Sequence, residues 1–211
     1  MKWIEDGESS VEFKCSEEKA NIFLIGDSIR KGYCLTTKNE LSSEAEVFYV
    51  NENCRNTQFV ITSMRSWAKK FDRPELVDIV HFNCGQWDVA RFSDCPKPLT
   101  SEEEYAKNIK AILFLIRRYF KNAKILFATT TPMNPHSEKH VMVNLRDNEI
   151  IDRYNAIATK IAKDEGVTVN DLNAYMRDWG EECFKDYCHL TPEGFVELGR
   201  HVAEVLKANL S

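Results

Sequence analysis

The stretch that decides the fold is Asn21-Ile22-Phe23-Leu24-Ile25-Gly26-Asp27-Ser28. Its apolar run shows no polar alternation, which is the pattern of a strand buried on both faces. Gly-Asp-Ser at its end reads as a sharp turn into a helix. Glycine permits tight backbone there, and Asp and Ser favour helix N-caps.

Further strands are expected at residues 46–50, 77–83, 124–130 and 167–169. The second run, at 46–50, is less apolar, which suits an edge or near-edge position. Helical spacing fills the intervals. Tyr105, Ile109, Ile112, Leu113, Ile116 and Phe120 recur at three- and four-residue steps behind a Ser101-x-x-Glu104 capping box. A second stripe runs from Ile150 to Ile161 and closes at Gly166. A third runs from Phe195 to Leu206, with Pro192 near its first turn. Residues 29–41 and 57–71 are weaker helix candidates. This alternation predicts an α/β fold: a three-layer α/β/α sandwich around a parallel five-stranded sheet. In such sheets the site lies at the carboxyl ends of the strands, where Ser28 falls. Two loops, residues 86–100 and 132–143, follow core strands and should rim it. The second contains His136 and His140.

The 211 residues are 43% hydrophobic and 29% charged, an ordinary composition for one globular domain spanning 1–211. Residues 1–20 form an N-terminal extension in which 11–14 suit a small edge strand. The net charge of −5, with no run of basic residues longer than a pair, argues against nucleic acid as a partner. The first seven residues are polar, unlike a secretory leader, and no apolar run is long enough for a membrane span. Seven irregularly spaced cysteines suit reduced thiols, so a cytoplasmic location without membrane contact is expected. No metal or other cofactor is expected; Cys183, Cys188 and His189 lack an evident fourth ligand. No Walker A or GxGxxG phosphate loop is present.

Near the C-terminus stands Asp186-Tyr187-Cys188-His189, followed by Leu190-Thr191-Pro192-Glu193-Gly194. A serine needs a base to become nucleophilic, and an aspartate fixes the histidine tautomer that serves as that base. Asp186 and His189 are three residues apart, so one turn can present both to Ser28. Taken singly, each residue also has a plain structural reading: Ser28 or Asp186 as a cap, His189 as a core histidine. The remaining histidines, including His81 in a strand and His201 on the last helix, read as packing or solvated residues.

Gly26-Asp27-Ser28 after the first strand, with Asp186-x-x-His189 before the last helix, resembles the GDSL/SGNH hydrolase family over most of the chain. The resemblance implies a flavodoxin-like sandwich and ester hydrolysis through an acyl-serine intermediate, without cofactor. It assigns Ser28 as nucleophile, His189 as general base and then acid, and Asp186 as the orienting carboxylate. It implies a small-molecule or carbohydrate ester as substrate, with acetyl the expected acyl group.

Two blocks depart from the family pattern. The family's oxyanion hole uses the nucleophile N–H, a glycine N–H from a second block, and an asparagine from a Gly-x-Asn-Asp block. Here the second block is Asn53-Cys54-Arg55-Asn56-Thr57, without glycine, though the backbone N–H of Arg55 or Asn56 could still serve. The third is Gly85-Gln86-Trp87-Asp88, with Trp87 in the asparagine position. The third donor is then the Trp87 indole, the Asn83 amide from the preceding strand, or missing. With Asp27, these residues form the expected substrate-binding set. Trp87, Phe92, Trp67, Trp179 and Tyr33 are the aromatic candidates for stacking on a sugar ring. An acyltransferase or thioesterase using the same serine remains an alternative, as does a catalytically impaired carbohydrate-binding relative.

Overall fold

The computed structural model describes residues 11–92, 95–134 and 144–210. Five parallel strands form the central sheet: β1 (Ala20–Ile25), β2 (Ala45–Tyr49), β3 (Ile79–Asn83), β5 (Lys124–Ala128) and β7 (Thr168–Asn170), in the order β2-β1-β3-β5-β7. Two short strands, β4 (Arg91–Phe92) and β6 (Asn144–Leu145), pair antiparallel as a separate ribbon. The helices are α1 (Ser28–Glu40), α2 (Thr57–Ala68), α3 (Glu102–Tyr119), α4 (Asn148–Asp164), the one-turn α5 (Leu172–Tyr175) and α6 (Pro192–Lys207).

The alternation of side chains along β1 builds both layers. Ile22 and Leu24 join a core with residues of α1 and α6, whereas Phe23 and Ile25 join one with α2, α3 and α4. The sheet therefore has helices on both faces, as its near-continuous apolar strands require. The strand order reverses direction at β1, and the crevice between the ends of β1 and β3 is the topological switch point. Ser28 and Gly85 stand at its two lips.

The expected parallel sheet is present, with β2 at its edge. Boundaries shift by up to a few residues; residues 74–76 form a 3-10 turn and β3 begins at Ile79. The N-terminal edge strand is corrected. Residues 11–14 make only a single bridge, Phe13 to Phe71, because Phe13 is drawn into an aromatic cluster with Phe23, Phe48 and Phe71. The β4–β6 ribbon and α5 were not anticipated, since two- and four-residue elements carry no periodicity.

Candidate active site

The turn after β1 is fixed from within. Asp27 caps α1 by accepting the Ile29 N–H at 2.9 Å, which leaves Ser28 as the first helical residue. The cap is thus Asp27 and Ser28 is free for other use. The Ser28 N–H belongs to the first turn, where backbone donors lack helical partners. Gly26 is required by close approach: a Cβ there would lie 2.0 Å from Asn83 Oδ1 and 2.6 Å from Arg30 Cβ.

Ser28 and the C-terminal turn meet. His189 Nε2 and Ser28 Oγ are 2.8 Å apart, and His189 Nδ1 and Asp186 Oδ2 are also 2.8 Å apart. Asp186 Oδ1 accepts the N–H groups of Cys188 and His189 at 2.9 and 2.8 Å. One carboxylate therefore shapes the turn with one oxygen and orients the imidazole with the other. Burial acts to raise the Asp186 pKa, but those two N–H groups and His189 outweigh it and hold it below the ordinary value. The turn is pinned by Lys185 N–H to the His189 carbonyl and by the Phe184–Leu190 bridge. Thr191 then caps α6.

Asp186, Cys188 and His189 also place ligand-type atoms within 4.8 Å of one another. Both His189 nitrogens are already committed to Asp186 and Ser28. Burial pushes the Cys188 thiol up to about 12, so it is not a thiolate. The donor set fits a hydrogen-bonded relay better than a metal site, and Cys183 is not part of it.

The second loop docks on the first through Cys54 N–H to the Gly26 carbonyl at 3.1 Å. Arg55 occupies the left-handed region at φ 47°, the conformation that usually selects glycine. Its own N–H is taken by Asn53 Oδ1 at 2.9 Å. Asn56 caps α2 with its side chain, and its N–H has no hydrogen bond among the described residues. Of the two expected backbone donors, Asn56 is the unoccupied one.

The third loop opens at Gly85, whose φ of 154° and a prospective Cβ 1.9 Å from Thr130 Oγ1 exclude a side chain. Asn83 is buried against Gly26 and its Oδ1 has no partner; burial raises the pKa of the neighbouring Asp27, against the opposing effect of Ile29 N–H, Arg146 and Arg30. Trp87 stacks on Phe92 at 6.3 Å and lines a groove of about 580 Å³ with Arg55, Asn56, Phe59 and Leu99. Trp67 and Tyr33 are buried in the two cores, so neither can stack on a ligand. Trp179 packs on Tyr175 and lines a separate cavity of about 850 Å³ beside α6 that contains none of Ser28, Asp186 and His189. His136 and His140 lie outside the described residues.

Asp88 ties the third loop to α2: its carboxylate accepts the Thr57 N–H and the Thr57 hydroxyl, the latter at 2.6 Å. Burial raises its pKa to about 6. His81, buried in β3, is lowered to about 4 by burial and by His201. The two act in opposite directions on stability. Unfolded His81 binds a proton from about pH 6.5 downward and the folded form only below about 4. Its contribution is therefore present above pH 6.5 and lost as pH falls to 4, on the order of 3 kcal/mol in full. Folded Asp88 holds a proton up to about pH 6, so its contribution is lost as pH rises from 3.8 to 6. Thermal unfolding of Asp88→Asn should therefore lose stability as pH drops from 6 to 4, and that of His81→Asn should gain it. Equal slopes in the two variants would contradict this assignment.

Two residues at the site carried no signal in the sequence. Arg30 and Arg146 are both buried, and both hold the loops. Arg30 donates to the carbonyls of Gly26, Val50 and Glu52. Arg146 donates to the Gln86 carbonyl. Arg30 stands two residues after Ser28, but an arginine on a helix of this type reads as solvated in sequence.

Fold and site together define an α/β/α protein with a hydrogen-bonded Ser-His-Asp array at the switch point of its sheet. The GDSL-like Lipase/Acylhydrolase family matches residues 24–195, and the chain belongs to that family. It is 29% identical over 143 residues to the GDSL esterase/lipase WDL1 of Oryza sativa subsp. japonica, covering 64% of this chain and 54% of the relative. The chain thus spans about half the length of the curated relatives it matches. Its fold is shared with the lipase/acylhydrolase from Enterococcus faecalis (TM-score 0.70, 18% identity, 91% of this chain and 97% of that one). It is shared also with Est24, a carbohydrate acetylesterase from Sinorhizobium meliloti (TM-score 0.68, 14% identity, 90% and 99%). No helix among the described residues is long and apolar enough to cross a membrane.

Proposed function

We propose that this chain is a serine esterase that hydrolyses short acyl esters, acetyl foremost, on a carbohydrate or another small molecule. The observation that carries the reading is the unbroken array Ser28 Oγ, His189, Asp186, with 2.8 Å at each step. Ser28 Oγ attacks the ester carbonyl as its proton passes to His189 Nε2. The imidazolium is stabilised by Asp186 and returns that proton to the departing alcohol. Water then enters, gives a proton to His189 and attacks the acyl-serine; the proton goes back to Ser28 as the acid leaves. The Ser28 and Asn56 N–H groups are the backbone donors to the oxyanion. The N-terminus of α1 adds a positive dipole end at the same place.

The groove walled by Trp87 and Phe92 supports a ring-shaped alcohol portion, since aromatic faces pack well on sugar rings. Est24, of the same fold, is described as a carbohydrate acetylesterase, which is consistent with this choice.

The test is covalent. Purified protein is treated with a fluorophosphonate and mapped by mass spectrometry, alongside hydrolysis of p-nitrophenyl acetate and butyrate. A single adduct on Ser28, suppressed by substrate, with acetate preferred over butyrate, is the expected result. No adduct and no turnover would leave a binding protein. A preference for longer acyl chains would overturn the substrate class alone.

A further inference from the structure

Arg146 follows β6 and is only 5% exposed. Its guanidinium is held by two acceptors, the Gln86 carbonyl at Nε and Asn144 Oδ1 at Nη1. It lies between the rings of Trp87 and Tyr187, 5.9 and 6.0 Å from their centroids. Trp87 walls the groove, and Tyr187 sits in the turn between Asp186 and His189. The arginine therefore stands directly behind the Trp87 side of the groove and beside the turn that carries His189. Among the described residues its Nη2 makes no hydrogen bond and its guanidinium no ion pair.

A guanidinium placed this way is costly unless it has an anion to meet. The buried acidic group in its field is Asp27, which also faces Arg30. Asp27 is acted on by both guanidinium groups, and Cys188 beside His189 by Arg146, Asp186 and Asp27 together. Arg30 directs Nη1 and Nη2 to three carbonyls, and its unpartnered Nε is buried away from solvent. Arg146 keeps Nη2 without a partner among the described residues, its guanidinium held in place by the contacts at Nε and Nη1, and a fixed, charged N–H donor suits a carboxylate.

We propose that Arg146 anchors a carboxylate on the alcohol portion of the substrate, so that the preferred ester is a short acyl ester of an anionic hydroxy acid or sugar acid. The alcohol portion is specified because a short acyl group has no room for a second charge. This inference rests on the esterase reading of Ser28 for its substrate and on Arg146 itself for the anion.

The test uses a matched pair, 3-acetoxybenzoate and 3-acetoxybenzamide, with wild type, Arg146→Gln and Arg146→Lys. Wild type is expected to favour the benzoate at least about tenfold in kcat/KM, through KM, as a charge-assisted hydrogen bond implies. Arg146→Gln brings the ratio near one, and Arg146→Lys keeps part of it. A ratio near one in wild type overturns the proposal. So does a ratio that Arg146→Gln leaves unchanged; if kcat then falls equally on both esters, Arg146 is an oxyanion donor. Calorimetry with 3-hydroxybenzoate on Ser28→Ala, with and without Arg146→Gln, reads the anion site without turnover. Binding that depends on Arg146 in a protein that hydrolyses neither ester would retain the anion site and reject the esterase reading. Binding that ignores Arg146 would reject the anion site.

Discussion

Asp186→Asn is expected to lower esterase turnover on the order of ten-thousandfold while the protein stays folded. The reason lies in how the carboxylate divides its work. Oδ1 accepts two backbone N–H groups, and Oδ2 faces His189 Nδ1. In the asparagine variant the carbonyl oxygen can keep the two N–H groups, so the turn survives. The amide nitrogen must then face Nδ1, and an amide N–H can only donate. Nδ1 becomes an acceptor, and the proton moves to Nε2, which faces Ser28 Oγ. The base is then in the wrong tautomer to accept the serine proton. Circular dichroism and thermal unfolding should match wild type within a few degrees while kcat collapses. Turnover within about tenfold of wild type would show that Asp186 merely shapes the turn. In that case the catalytic array proposed above would need a different third member.

Arg30→Met is expected to destabilise the fold by roughly 3–5 kcal/mol. Methionine fills much of the same volume, but the buried Val50 carbonyl and the part-buried Glu52 carbonyl lose their donor, and the Gly26 carbonyl keeps only the Cys54 N–H. Each such acceptor left bare costs about 1–3 kcal/mol. Replacement of a buried ion pair by apolar residues is often neutral, but only when both partners are removed. Backbone carbonyls cannot be. The loss should fall on activity too, because Gly26 precedes Asp27 and Ser28, and the loop from Glu52 to Asn56 carries the proposed second oxyanion donor. Denaturant unfolding measures the first effect and kcat the second. A change under 1 kcal/mol would mean that water replaces the guanidinium without cost.

The sequence by itself determined the layers and the endpoints. Apolar runs such as 21–25 can only be strands covered on both faces, and stripes at three- and four-residue spacing can only be helices with one buried side. These are local consequences of solvation, so they are legible without knowing what packs on what. Ser28 at a strand end and Asp186 with His189 in one turn were legible for the same reason. Their spacing is short and their chemistry is distinctive. The tertiary structure alone decided the rest. Arg30 and Arg146 are buried because carbonyls from β1, β2 and the third loop converge on them, and convergence of distant segments leaves no trace in composition. Arg55 takes a glycine-like φ because the docked loop demands it, although the sequence lacks the glycine. Trp67 and Trp87 look alike on paper; one lies on the buried face of α2 and fills a core, and the other stands on a loop and walls a groove. Phe13 left its expected strand for an aromatic cluster because burying a ring against three others outweighs edge pairing by a few residues.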